Sequence, residues 1–223
     1  MKIYKFRKLV DLIDACRLKK IIETGEFKCS NFWGLNDPME GVFSIVDFDK
    51  VSEKISEIYG EKGKYKICAF SGEKGFKYLP MWGYYAGGFK GVAIEVDAEY
   101  SEIKKVNYCD NSILLNDDDY CEHAVEKILS TKNTAWNREE EYRFLDKLKN
   151  DFKKIGNITA IYFGTPYDNL ENSKQIQKDR KIFFKYKIFK EEIIKIAKKK
   201  DIKCFDVEVK NGEVKKKTKN LWS

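Results

Sequence analysis

The segment Trp136-Asn137-Arg138-Glu139-Glu140-Glu141-Tyr142-Arg143 sets three consecutive carboxylates between two arginines and two large aromatic side chains. In an extended chain alternate side chains share a face, so Glu139, Glu141 and Arg143 project together while Glu140 and Tyr142 point away. Two carboxylates that close repel each other and raise one pKa, unless a cation such as Arg138 or Arg143 offsets the effect. The arrangement suits general acid–base work, or the binding of a sugar hydroxyl beside a developing positive charge. On a helix the same residues would give ion pairs from Glu139 or Glu140 to Arg143 on a solvated face. The spacing allows either reading.

The surrounding pattern predicts the elements that position these residues. Tyr4–Arg7 reads as a first strand and Leu9–Thr24 as a helix, with Leu9, Leu12, Ile13, Cys16 and Ile21 near helical spacing and Gly25 as its stop. Phe27–Ser30 is a second short strand leading into the turn Gly34-Leu35-Asn36-Asp37-Pro38. Val51, Ile55 and Tyr59 recur at four-residue steps in a helix over Phe48–Tyr59 that Gly60 ends. Lys66–Ser71, Gly91–Val96, Ile103–Tyr108 and Ile158–Phe163 read as strands, and an aromatic and glycine-rich stretch, Met81–Gly88, separates the first two. Asp117-Asp118-Asp119 starts a helix that continues through Ala124, Val125, Ile128 and Leu129. The Trp136–Arg143 segment is expected to run as strand through Leu145. Lys190–Lys200 is helical, and Lys203–Val209 forms a hairpin through Asn211-Gly212. The order lacks regular βαβ alternation. The expected fold is therefore α+β: one domain over 1–223, with mixed, mainly antiparallel short sheets and peripheral helices.

Composition excludes several classes. Of the 223 residues 43% are hydrophobic and only three are proline, which argues against disorder. No run of about 18 apolar residues occurs, so no membrane span is expected. Met1–Arg7 lacks the apolar stretch of a signal peptide, and a cytoplasmic location is expected. The six cysteines form no C-x-x-C pair and read as buried, reduced thiols. With His123 the single histidine, no metal site is expected; Cys121 and His123 alone are too few ligands. His123 itself reads as a surface residue. The last forty residues carry thirteen lysines against six acids, which accounts for the whole formal charge of +7. Lys198-Lys199-Lys200 and Lys215-Lys216-Lys217 are either a solvated basic tail or a patch for nucleic acid.

Several segments in order resemble a bacterial family known as domain of unknown function 2971. They are Tyr4–Arg7, Leu35-Asn36-Asp37-Pro38-Met39-Glu40, Ala69-Phe70-Ser71, Met81–Tyr85, Lys90–Glu95, Trp136 with Glu139, Glu141 and Arg143, and Ile161–Gly164. The resemblance spans about residues 1–165 and leaves 166–223 as a lysine-rich extension of helix and strand. A further similarity, to ADP-ribosyltransferases, rests on a first strand with a polar handle, a helix, a second strand ending in Ser, and a late Glu-x-Glu strand. It implies split sheets around a cleft and NAD as co-substrate. It also implies Arg7 or Tyr4 near the ribose or phosphates, Ser30 shaping the nicotinamide pocket, and Glu141 as the catalytic carboxylate. The chain departs from that plan in lacking a first-strand histidine and a Ser-Thr-Ser second strand.

On that plan Glu139 orients or deprotonates the acceptor, and Arg7 and Arg143 pair with the pyrophosphate. Trp82, Tyr84 or Tyr85 stacks on nicotinamide or an acceptor base, unless these rings simply fill a core. Asn36 lines the cleft, unless the Asn36–Pro38 turn only bonds itself. The expected function is an NAD-dependent ADP-ribosyltransferase-like enzyme acting on nucleic acid or protein. By analogy it is a bacterial toxin or phage-defence effector with an antitoxin or immunity partner. The alternative is a non-catalytic nucleic-acid or nucleotide-binding module in which the glutamates only brace arginines.

Overall fold

A computed structural model describes residues 1–35, 42–45, 51–115, 121–147, 149–166 and 180–222, with side chains of the last segment from residue 184. The Asn36–Glu40 turn and Asp117–Asp119 lie outside the described residues. The chain runs β1 (Lys2–Lys8), α1 (Leu12–Thr24), β2 (Glu26–Lys28), β3 (Phe43–Ile45), α2 (Val51–Lys64), β4 (Lys66–Ser71), α3 (Glu73–Lys77), α4 (Leu79–Tyr85) and β5 (Gly91–Asp97). It continues with β6 (Lys104–Lys105), β7 (Asn107–Tyr108), β8 (Ile113–Leu115), α5 (Cys121–Leu129), β9 (Thr131–Lys132), a 3₁₀ turn over Thr134–Glu139 and β10 (Glu141–Asp146). The last elements are β11 (Phe152–Lys154), β12 (Asn157–Phe163), α6 (Arg180–Lys199), β13 (Lys203–Lys210) and β14 (Glu213–Lys216).

Eight strands form one sheet in the order β14-β13-β12-β5-β1-β4-β10-β6. Within it the pairing is antiparallel except between β12 and β13, which α6 connects as a crossover. The mixed, mainly antiparallel α+β architecture is as expected from the sequence. The lysine-rich C-terminal part belongs to the same sheet, since β13 and β14 extend it beyond β12.

Local chemistry explains the elements. Asp11 caps α1 by accepting from the Asp14 N–H at 2.8 Å, and Gly25 ends it at φ 72°, its own N–H returning to the Ile21 carbonyl. Asn211 and Gly212 both take positive φ and close the β13–β14 hairpin. Helix α2 runs through Gly60 to Lys64 rather than stopping there, and the Met81–Tyr85 stretch is helix α4, with Pro80 in its first turn.

Side chains alternate across the sheet. Ile3, Cys68, Phe70, Val92, Ile94 and Ile161 pack under α1 and α6. Tyr4, Phe6, Ala93 and Tyr162 pack on the opposite face against Phe76 and Trp82 of α3 and α4. A third core joins Ile58, Ile67, Val125 and Ile128 under α2 and α5.

The two edges of β1 differ. Toward β5 it is paired along its whole length, from Lys2↔Asp97 to Lys8↔Gly91. Toward β4 it has one register pair, Tyr4↔Ser71. Continued without a break, that register would set Arg7 opposite Cys68. Instead the strands part, and Ser30 takes the vacated place beside Ile67 through two backbone hydrogen bonds of 2.9 and 2.8 Å. The sheet is open between β1 and β4.

Candidate active site

The opening is a cleft of about 310 Å³, at the lower end of small-molecule sites. Tyr4, Arg7, Ser30, Tyr85, Glu139 and Glu141 all line it, although they span most of the chain. Lys5, Lys28 and Lys132 join them. Four cations thus face two carboxylates.

Glu139 and Glu141 reach the cleft through a local backbone device. Asn133 caps the 3₁₀ turn by accepting from the Ala135 N–H at 2.9 Å, and Glu140 then turns the chain in the left-handed region at φ 47°. Its carboxylate accepts from the Lys74 N–H at 2.7 Å, which ties the turn to α3. Strand β10 begins at the next residue, so the segment is turn and then strand rather than strand throughout. The Glu139 and Glu141 side chains nevertheless converge on one ammonium. Lys132 Nζ lies 2.7 Å from Glu139 Oε2 and 2.8 Å from Glu141 Oε2, with the Trp136 ring beneath it at 4.8 Å. Tyr85 donates to the other Glu139 oxygen at 2.9 Å.

Arg143 completes the network from below. It is fully buried, donates to Glu141 Oε1 at 2.6 Å and to the Leu129 carbonyl at 2.7 Å, and does not line the cleft. Its expected role as a pyrophosphate ligand is corrected accordingly: a guanidinium enclosed on the Glu141 face of β10 serves the carboxylate. Burial would raise the Glu141 pKa, but Arg143 and Lys132 outweigh it and hold the carboxyl below its ordinary value. Lys132 moves the other way, its two carboxylates overcoming the burial that would lower it.

Trp82 requires a second correction. It is wholly buried, donates its indole N–H to the Phe76 carbonyl at 2.8 Å and packs edge-on against Phe6. On α4 it faces the core, while Met81 and Tyr85, one turn apart, line the cleft. Strand β10 lies beside β4, and Ser71 at the end of β4 pairs with both Tyr4 and Glu141. Tyr4 borders the cleft, but its hydroxyl is engaged away from it, bonded to Glu73 at 2.6 Å and accepting from Lys216 at 2.6 Å.

Charge is distributed along the cleft. Glu141 stands at the Tyr4–Ser71 end. Arg7, Lys28 and Ser30 stand toward Cys68 and Ile67, three strand steps or roughly 10 Å away. The Arg7 Nε is buried without a hydrogen-bond partner among the described residues, and Lys5 donates across the gap to the Ala69 carbonyl at 2.5 Å. Lys5, Lys28 and Lys132 escaped the sequence reading. Lys132 had one usable signal, its place just before the Asn133 cap of the turn that carries Glu139.

Of the two lysine triplets, Lys198, Lys199, Lys200 and Lys215 are exposed. Lys216 turns inward over the Tyr4, Phe76 and Tyr162 rings, 3.2 Å from Glu73 and 3.6 Å from Glu95, so the second triplet is not one continuous basic patch. His123 is exposed. Among the described residues no helix is long and apolar enough to cross a membrane.

Comparison of the chain with family models, curated proteins and solved structures found no match in any of the three. Any functional reading therefore rests on the cleft and on the sequence motifs.

Proposed function

We propose that the cleft between β1 and β4 binds NAD and that the protein transfers ADP-ribose from it to an acceptor. The observation that carries this reading is the convergence of Arg7, Ser30, Tyr85, Glu139 and Glu141 on the opening between β1 and β4, cationic at one end and carboxylate-bearing at the other. The roughly 10 Å between the ends is about the reach of a ribose and its phosphate. Arg7, Lys5 and Lys28 face the diphosphate, and Glu141 faces the ribose whose bond to nicotinamide breaks.

Nicotinamide leaves as a neutral base with the bonding electrons, and the Glu141 charge stabilises the cationic ribose left behind. The acceptor attacks the anomeric carbon, and Glu139 takes its proton. Because Lys132 and Arg143 already pair with Glu141, it stabilises that cation less than a free carboxylate would, but it remains charged at neutral pH. Tyr85 steers the free lone pairs of Glu139. The acceptor is nucleic acid approached along the exposed lysines, or a protein side chain. A role as toxin or defence effector, with an antitoxin partner, extends the same resemblance.

One observation favours a second reading. Both glutamates are held by Lys132, as in a module that binds a nucleotide without cleaving it. Nicotinamide release with candidate acceptors, measured for wild type and Glu141→Gln, separates the two. The transferase reading expects release that falls about a hundredfold in the variant at nearly unchanged NAD affinity. Binding without release supports the module, and absence of NAD binding removes the transferase.

A further inference from the structure

Cys29 and Cys68 face one another across the opening of the sheet. Ser30 and Ile67 exchange both backbone hydrogen bonds as an antiparallel pair. One step along this register are Cys29 and Cys68, at a position without backbone bonds between the strands. Such positions bring Cα atoms closest, to about 4.5 Å, inside the roughly 4.4–6.8 Å that a disulfide spans. Both side chains enter the same core under α1 and are almost wholly buried, with the Cys29 thiol directed at the Phe27 carbonyl at 3.8 Å. Nothing local in the sequence joins them, since they are separated by helix α2.

Their surroundings are asymmetric. Burial alone would raise the Cys68 thiol, but the neighbouring Cys29 sulfur and the charges of Lys5 and Arg7 outweigh this and hold it below the ordinary thiol value. Cys29 is pushed upward by its Cys68 neighbour and by burial. The two cations thus favour the thiolate on Cys68. The cleft is next to them: Lys28, Ser30, Ile67 and Ala69, the chain neighbours of Cys29 and Cys68, line it, while the two cysteines themselves are buried and do not.

We propose that Cys29 and Cys68 form a redox-active dithiol that a peroxide closes to a disulfide. The Cys68 thiolate attacks one peroxide oxygen. An S–O bond forms, the O–O bond breaks, and the departing hydroxide takes a proton to become water. The Cys29 sulfur then attacks the sulfenic sulfur. The S–S bond forms, the S–O bond breaks, and the released hydroxide leaves as a second water with the Cys29 proton. The two sulfurs lose two electrons and the peroxide gains them. Closure removes the thiolate facing Lys5 and Arg7, making that end of the cleft more positive by one charge. The proposal does not depend on what the cleft binds.

Peptide mapping of the folded protein after hydrogen peroxide treatment, quenching, unfolding and alkylation tests it. The expected product is a Cys29–Cys68 cross-link lighter by two hydrogens and reversed by dithiothreitol, with the equally buried Cys204 still alkylated. Cys29→Ser should then let Cys68 advance to sulfinic acid, and Cys68→Ser should leave Cys29 unoxidised. Should either variant fail to fold, the wild-type map decides alone. Full alkylation of Cys29 and Cys68 after treatment, or their appearance only in mixed disulfides with exposed Cys16, would overturn the proposal.

Discussion

Strand β1 has two edges with opposite fates. Its β5 edge is closed over seven register pairs, and β5 is buried from Gly91 to Val96. Its β4 edge is pinned at Tyr4↔Ser71 and then parts. The closed edge satisfies its own backbone groups and contributes stability. The open edge leaves ladder positions without a strand partner and fills the gap with Lys5, Arg7 and the Lys28–Ser30 strap, so its polar groups are available to a ligand. Substitutions at the closed edge should therefore cost stability, and those at the open edge should cost binding.

The largest effect should come from the residue that supports the open edge from beneath. Arg143→Met leaves Glu141 buried with one cation fewer, and a loss of about 3–5 kcal/mol is expected in urea unfolding. A loss under about 1 kcal/mol would mean that Lys132 alone suffices. The pH dependence sharpens this point. The Glu141 pKa is lowered in the folded state, so its contribution is present above the unfolded value near 4.5 and is lost as pH falls through the folded one. Glu141→Gln should flatten the decline of stability below about pH 4.5. An unchanged slope would show that Glu141 is not the group being titrated.

Gly91→Ala probes the closed edge. An added Cβ would lie 2.3 Å from the Arg7 carbonyl oxygen and 2.6 Å from that of Ala86, both backbone atoms that cannot rotate aside. A loss of about 1–3 kcal/mol is expected. If this variant instead kept full stability and lost ligand binding, the division between the edges would fail. Tyr85→Phe removes one hydrogen bond to Glu139 and should cost on the order of 1 kcal/mol by thermal or urea unfolding.

Much of the fold is legible residue by residue where the signal is local. Gly25 stops α1, Asn211-Gly212 makes the hairpin, and Ile158–Phe163 forms a strand because each depends on neighbours within a few positions. The Glu-x-Glu-x-Arg alternation matches the strand from Glu141 onward but not the 3₁₀ turn that holds Glu139. What local pattern does not encode is pairing between distant segments. The insertion of β4 between β1 and β10, the seat of Lys216 among three rings, and the Cys29–Cys68 pairing all depend on long-range register. Trp82 and Tyr85 are equally aromatic and only three helical positions apart, so no local pattern tells that one bonds the Phe76 carbonyl in the core and the other reaches Glu139. The Glu139–Glu141 pair was readable, whereas the lysine that gathers it was not, because a lone Lys132 looks like any surface lysine until the 3₁₀ turn folds it back.

The smallest effect on stability and the most direct test of the account fall on one residue. Arg7 lies in the gap with its Nε unpartnered among the described residues, so Arg7→Gln should change unfolding free energy by no more than about 0.5 kcal/mol. Calorimetric titration with NAD should give saturable one-to-one binding to the wild type and at least a tenfold weaker affinity for Arg7→Gln, a difference of about 1.4 kcal/mol or more. No measurable NAD binding, or equal affinity in the two proteins, would contradict the claim that the opening between β1 and β4 is a nucleotide site.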